Sequence, residues 1–187
     1  MRTVTATIKG LAPIQFSKYI ETPRNDKESA QDHEARTWKE RMHVNSKTGK
    51  LFIPGMGFKK AMDAAARFIG DKIKGKRNAT WTKHFLSGVL PAGDAQLNVS
   101  PEDAEKYALF VPSDGKPGSG SRVLKFFPVV REWATQITFT VIDDEITEDV
   151  FKRHLEQAGQ LIGVLAFRPE HGGYFGRFEV TKLVWNK

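Results

Sequence analysis

The 187-residue chain contains no cysteine, which excludes disulfides, thiolate nucleophiles, iron–sulfur clusters and cysteine-type zinc sites. Histidine is scarce: His33, His43, His84, His154 and His171 include no pair at the i, i+4 spacing that presents two metal ligands on one helix face. No cofactor is expected. No stretch approaches the roughly 18 consecutive apolar residues of a membrane span. Met1-Arg2-Thr3-Val4-Thr5 reads as the start of a strand rather than a signal peptide, so a soluble, cytoplasmic protein without a membrane partner is expected. The Gly-x-x-x-x-Gly-Lys-Ser/Thr phosphate loop and the Gly-x-Ser-x-Gly nucleophile elbow are both missing. Gly55-Met56-Gly57, followed by Phe58-Lys59-Lys60, fits neither nucleotide-binding pattern.

What is present is a basic chain able to bury a core. Apolar residues make up 40 %, with 13 Phe and 4 Trp, which rules out disorder as the dominant state. The net charge is +7, and it is concentrated rather than spread. Residues 72–93 contain no acid but carry Lys72, Lys74, Lys76, Arg77 and Lys83; residues 115–131 contain no acid but carry Lys116, Arg122, Lys125 and Arg131. These nine cations exceed the whole net excess. Both stretches hold glycines whose N–H groups can meet a phosphate, and Trp81 in the first has two open readings, a ring stacked on a base or an ordinary core tryptophan.

Residues 3–11 alternate Val4, Ala6 and Ile8 against polar neighbours, the period of a half-buried strand. Residues 21–41 carry six acids and five bases and read as an exposed, partly helical insertion with Trp38 as its anchor. Leu51-Phe52-Ile53 predicts a short strand ended by Pro54-Gly55. Phe58, Met62, Ala65 and Ile69 fall at helical spacing with a stop at Gly70, leaving Lys59, Lys60 and Arg67 off the apolar face. Strands are expected over 107–111, 123–130 and 136–142. Thr147 caps a second helix carrying Phe151, Leu155, Ala158 and Ile162, with His154 off its stripe and solvated. A Gly-containing loop over 168–177 precedes a closing strand over 178–185. The order fits an α+β fold of ferredoxin-like, RNA-recognition type: an antiparallel sheet with two main helices on one face, in a single domain over 1–187 with a charged insertion at about 21–43 and basic loops at about 72–93 and 113–122.

Three segments carry a resemblance: the strand exit Gly10-Leu11-Ala12-Pro13; the strand and turn Phe52-Ile53-Pro54-Gly55-Met56-Gly57 feeding a helix with Lys59 and Lys60; and the late helix with Gly172-Gly173-Tyr174-Phe175-Gly176-Arg177 before the last strand. Together they resemble the RAMP superfamily, in particular the backbone subunits of CRISPR effector complexes. The resemblance covers about half of the chain. It implies a modified RNA-recognition fold lying along guide RNA, with Lys59 and Lys60 as phosphate contacts, Gly55 and Gly57 allowing close approach, and Gly172, Gly173, Gly176 and Arg177 as a second contact. The small size suits a compact, phage-encoded relative.

The sequence therefore predicts a non-catalytic protein that binds single-stranded nucleic acid, RNA in preference to DNA, alone or in copies along the strand. Lys59, Lys60, Lys72, Lys74, Lys76, Arg77, Lys83, Lys116, Arg122, Lys125 and Arg177 would hold phosphates; Trp81, Tyr174 or Phe175 would stack on bases. The alternatives are a small metal-independent endoribonuclease using His84 or His171 as general base, and a phage protein that binds single-stranded DNA or joins or mimics a CRISPR ribonucleoprotein.

Overall fold

Alternation builds the first strand, β1 (Arg2–Gly10): Val4, Ala6 and Ile8 are fully buried, while the residues between them are not. The computed structural model describes residues 2–113, 118 and 120–186. The chain continues through β2 (Ile14–Gln15), α1 (Ala30–Thr37), a 3-10 turn at Trp38–Arg41, β3 (Phe52–Ile53), α2 (Gly55–Ile69), α3 (Thr82–Gly88) and β4 (Val89–Pro91). It then forms β5 (Ala95–Gln96), β6 (Glu105–Pro112), β7 (Arg122–Val130), β8 (Ala134–Val141), α4 (Glu148–Gln157), a π-helical turn at Ala158–Ile162 and β9 (Phe178–Asn186).

The main sheet has the order β4-β8-β1-β9, antiparallel throughout. Taken along the chain, β1–α2–β4–β8–α4–β9 is two interlocked split β-α-β units, the ferredoxin-like arrangement. Phe58 and Met62 of α2, and Phe151 and Leu155 of α4, pack with Val4, Phe139 and Phe178 in one core cluster. Thr147 caps α4, its hydroxyl accepting from the Val150 N–H, and Gly70 ends α2 at φ +62°, where a side chain would be strained. Two insertions decorate this frame. One runs from β2 to β3; the other is the β6–β7 hairpin, which with β2 forms a second sheet, β2-β7-β6.

Three expectations change. Residues 72–93 are not one loop, because Phe85 and Val89 enter the core and fold the second half into α3 and β4. The charged insertion is anchored by Thr37, Arg41 and Met42, which are buried, while Trp38 is only half-buried. His154 is 1 % exposed, stacked on Phe85 with ring centroids 4.2 Å apart, and its Nδ1 donates to the Val150 carbonyl at 2.7 Å. The ring is covered because α3 packs where the sequence suggested solvent.

Burial holds the His154 pKa below its usual 6.5; the charge of Arg153 acts the same way, against the opposing Val150 carbonyl and Asp71. Burial likewise lowers His43. In both, the unfolded chain takes up the proton first, so their stabilisation is complete above about pH 6.5 and is lost as pH falls towards the folded values. The thermal midpoint is expected to drop below about pH 6.5, and His154→Phe to flatten part of that decline. Among the described residues, no helix is long and apolar enough to cross a membrane.

Candidate nucleic-acid interface

Two adjoining cavities run across one side of the fold. The first, of about 450 Å³, lies against the start of α2 and is lined by Met56, Gly57, Lys60, His43 and Arg168. The second, of about 690 Å³, lies against β7 and is lined by Arg41, Arg122, Lys125, Phe127, Phe167 and His171. Ser17 and Ala166 border both, so the two form one groove. Among the described residues, Lys60, Arg122 and Lys125 stand in no ion pair, which leaves three cations for an anionic ligand. Arg41 is already committed to Glu34 at 2.7 and 2.8 Å, and Arg168 to Glu170 at 2.7 Å. The positive end of α2 is partly occupied too, since Asp94 accepts from the Gly55 N–H at 2.9 Å. Phosphate attraction in the groove therefore rests on side chains more than on the helix dipole.

Several residues expected at a nucleic-acid surface are structural instead. Lys59 is 5 % exposed; its ammonium pairs with Asp63 at 2.5 Å and donates to the carbonyls of Phe85 and Leu86 at 2.9 and 3.0 Å. It satisfies carbonyls at the C-terminal end of α3 rather than a phosphate. Gly55 admits the backbone of Gly93, whose oxygen would lie 2.1 Å from a Cβ there. Gly173 and Gly176 serve the same purpose: a Cβ would fall 1.7 Å from the Phe167 carbonyl oxygen or 1.9 Å from that of Val164. The glycine loop is thus wrapped on the protein's own 164–168 turn. Of the five glycines expected to allow close approach, Gly172 keeps open space and Gly57 would make only an ordinary contact with Ile53 at 3.7 Å; of these two, Gly57 borders the groove. Phe175 is 4 % exposed, stacked beneath Tyr174 at 4.3 Å and edge-on to Tyr107, so it backs a platform that only Tyr174, 56 % exposed, presents to solvent. Arg177 is exposed and donates to the Gln160 carbonyl.

The first basic stretch lies at the opposite end of α2, whose 15 residues span about 22 Å. There Lys72, Lys74, Arg77 and Lys83 are exposed without ion pairs among the described residues, whereas Lys76 is held by Glu145 at 3.0 Å. Trp81 packs partly against the core and meets His84 edge-on. His84 Nδ1 bonds Asp143 at 2.6 Å, tying α3 to the exit of β8. Burial works against the Asp143 charge, but the Glu145 N–H, His84 and Lys76 outweigh it and hold the carboxyl below its usual value. His171 lines the groove 3.8 Å from Glu170. Lys116 lies outside the described residues.

Sequence reasoning missed Arg168, Phe167 and Gln15. Phe167 and Leu165 adopt φ +50° and +63°, a left-handed backbone that no residue type there announces.

No family model and no curated protein matches this sequence. Solved structures do. A chain in the cryo-electron microscopy structure of type III-B Cmr-beta bound to cognate target RNA matches with TM-score 0.54 and 14 % identity over 100 % of this chain. The match covers 61 % of that chain. The crystal structure of Cmr6 from Pyrococcus furiosus matches with TM-score 0.52 and 14 % identity, over 96 % of this chain and 99 % of that one. At 14 % identity both likenesses are ones of fold. The fold of this chain, with its ferredoxin-like frame and two insertions, is RAMP-like.

Proposed function

We propose that this protein binds single-stranded RNA in the groove between α2, the 164–168 turn and β7, as an RNA-binding subunit of a CRISPR-type ribonucleoprotein. The observation that carries the reading is the continuity of the groove, in which Lys60, Arg122 and Lys125, unpaired among the described residues, flank the exposed ring of Phe167. Cations along a track with aromatic surface beside it suit a single strand, whose phosphates need charge and whose free bases need a flat apolar partner. The likeness to Cmr6 and to a chain of an RNA-bound Cmr complex supports RNA over DNA and supports neighbouring subunits as partners. The reading is one of binding without cleavage. His84 is tied to Asp143 and lines neither cavity.

Titration of labelled single-stranded RNA, single-stranded DNA and duplex at several salt concentrations tests this. Single-stranded RNA is expected to bind tightest, to be recovered intact, and to weaken steeply with salt. Changing Lys60, Arg122 and Lys125 together to Ala is expected to lower affinity at least about tenfold and to flatten the log–log salt slope by about 2, three contacts at about 0.7 each for a single strand. The matching change of Lys72, Lys74 and Arg77 is expected to do much less, because their separation from the groove exceeds a Debye length of about 8 Å at physiological salt. Equal losses from the two triple variants would refute the groove as the principal site.

A further inference from the structure

β2 leads directly into Ser17 at the border of the groove, and its residues divide by face. Ile14 and Phe16 are fully buried in the main core. Gln15 therefore points to the other side. It sits opposite Val129 of β7, on the same face as Phe127 two residues along, and Ser17, which borders both halves of the groove, continues that face of β2. Gln15 is 0 % exposed, and among the described residues neither its side-chain nitrogen nor its side-chain oxygen has a partner. The Nε of Arg41, which also lines the groove and lies over the Phe127 ring at 5.1 Å, is buried and unpartnered too. Buried polar groups are nearly always satisfied, so orphans gathered at one end of a groove need a reason. The 164–168 turn is tied to β2 at this residue: the Ala166 N–H donates to the Gln15 backbone carbonyl at 3.2 Å. On either side of Ala166, Leu165 and Phe167 hold positive φ, a conformation that costs bulky side chains energy.

We propose that this end of the groove is a nucleobase-reading pocket, in which Phe167 stacks on one base of the bound strand and the Gln15 amide, uncovered as the turn shifts, hydrogen-bonds that base's edge. An amide carries a donor and an acceptor side by side, the pattern that an adenine or cytosine edge complements and that a phosphate does not use. The cavity of about 690 Å³ falls within the usual range for small-ligand sites, and Lys125 and Arg122 on the same wall would take the flanking phosphates. This inference rests on the RNA-binding reading above and adds base preference to it.

The test compares short labelled oligo(A), oligo(C) and oligo(U) on wild type, Gln15→Met, Phe167→Ala and Lys125→Ala. Wild type is expected to prefer one homopolymer by about fivefold or more, at the lower edge of what a single good base contact gives. Gln15→Met keeps the volume and removes the orphaned amide, so it is expected to hold or raise the thermal midpoint while abolishing the preference. Phe167→Ala, at an exposed position, is expected to weaken all three homopolymers about fivefold or more through lost stacking. If Gln15→Met leaves preference and affinity unchanged while Lys125→Ala weakens binding, base reading is refuted and the groove stands. A wild type without preference, or a marked fall in the midpoint of Gln15→Met, also refutes it, the latter because the amide would then be a structural group. Wild type that binds none of the three overturns the RNA-binding reading and this inference together.

Discussion

Lys59→Ala is expected to destabilise the protein by about 3–5 kcal/mol, the range for breaking a buried ion pair by removing one partner. The ammonium is enclosed: it pairs with Asp63 one turn along α2 and accommodates the carbonyls of Phe85 and Leu86 at the end of α3. Alanine leaves a carboxylate with 13 % side-chain exposure facing two carbonyl oxygens, three negative ends with no donor between them. The thermal midpoint should fall by roughly 10 °C in a chain of this size. Lys59→Met with Asp63→Leu removes both charges and should recover much of the loss, leaving chiefly the orphaned carbonyls. RNA affinity measured below the midpoint should change little in either variant. A large loss of affinity with an unchanged midpoint would return Lys59 to the nucleic-acid surface.

Gly176→Ala is expected to damage stability and binding together. Its φ of +73° costs a side chain about 1–2 kcal/mol. The added Cβ would also lie 1.9 Å from the Val164 carbonyl oxygen, so the two backbone segments must separate. Separation breaks the bonds from the Val164 N–H to the Gly176 carbonyl and from the Gly176 N–H to the Pro13 carbonyl, at 3.0 and 2.8 Å. A total of about 2–5 kcal/mol follows when overpacking is included. Because the displaced segment carries Ala166 and Phe167, RNA affinity should fall as well. Gly172→Ala is the control: φ is +76° but no atom lies within 4 Å of its Cβ, so a loss of about 1–2 kcal/mol with intact binding is expected. Calorimetry and RNA titration on the two variants separate backbone strain from steric conflict.

Where structure follows local period, the sequence was readable. The alternation of Val4, Ala6 and Ile8, the four-three-four spacing along α2 and along α4 with the π-helical turn that continues it, the Thr147 cap and the Gly70 stop all appear. The ferredoxin-like order follows from those elements. Features created by distant segments were not readable. α3 is a Phe-anchored helix of about two turns with no side-chain N-cap, and its unforeseen packing is what buries Lys59 and His154. The glycine loop was visible as composition, but its partner, the 164–168 backbone, was not. The groove arises where Ser17, α2, β7 and that turn converge, and among the described residues only Lys60, Arg122, Lys125 and Gly57, of those named from sequence as contacts, reach it.

The position of β1 in the middle of the sheet has a consequence in time. Its first neighbour, β8, lies far along the chain, with Thr5 and Thr138 paired across 133 residues, and its second, β9, comes later still. At ribosomal rates of about 5–20 residues per second, β1 waits on the order of ten seconds for a partner to be synthesised. Throughout that interval Val4, Ala6 and Ile8 sit on a strand with two open edges, the form of chain most prone to wrong pairing. Sheet closure then depends on the last segments made, so this topology favours slow, late folding.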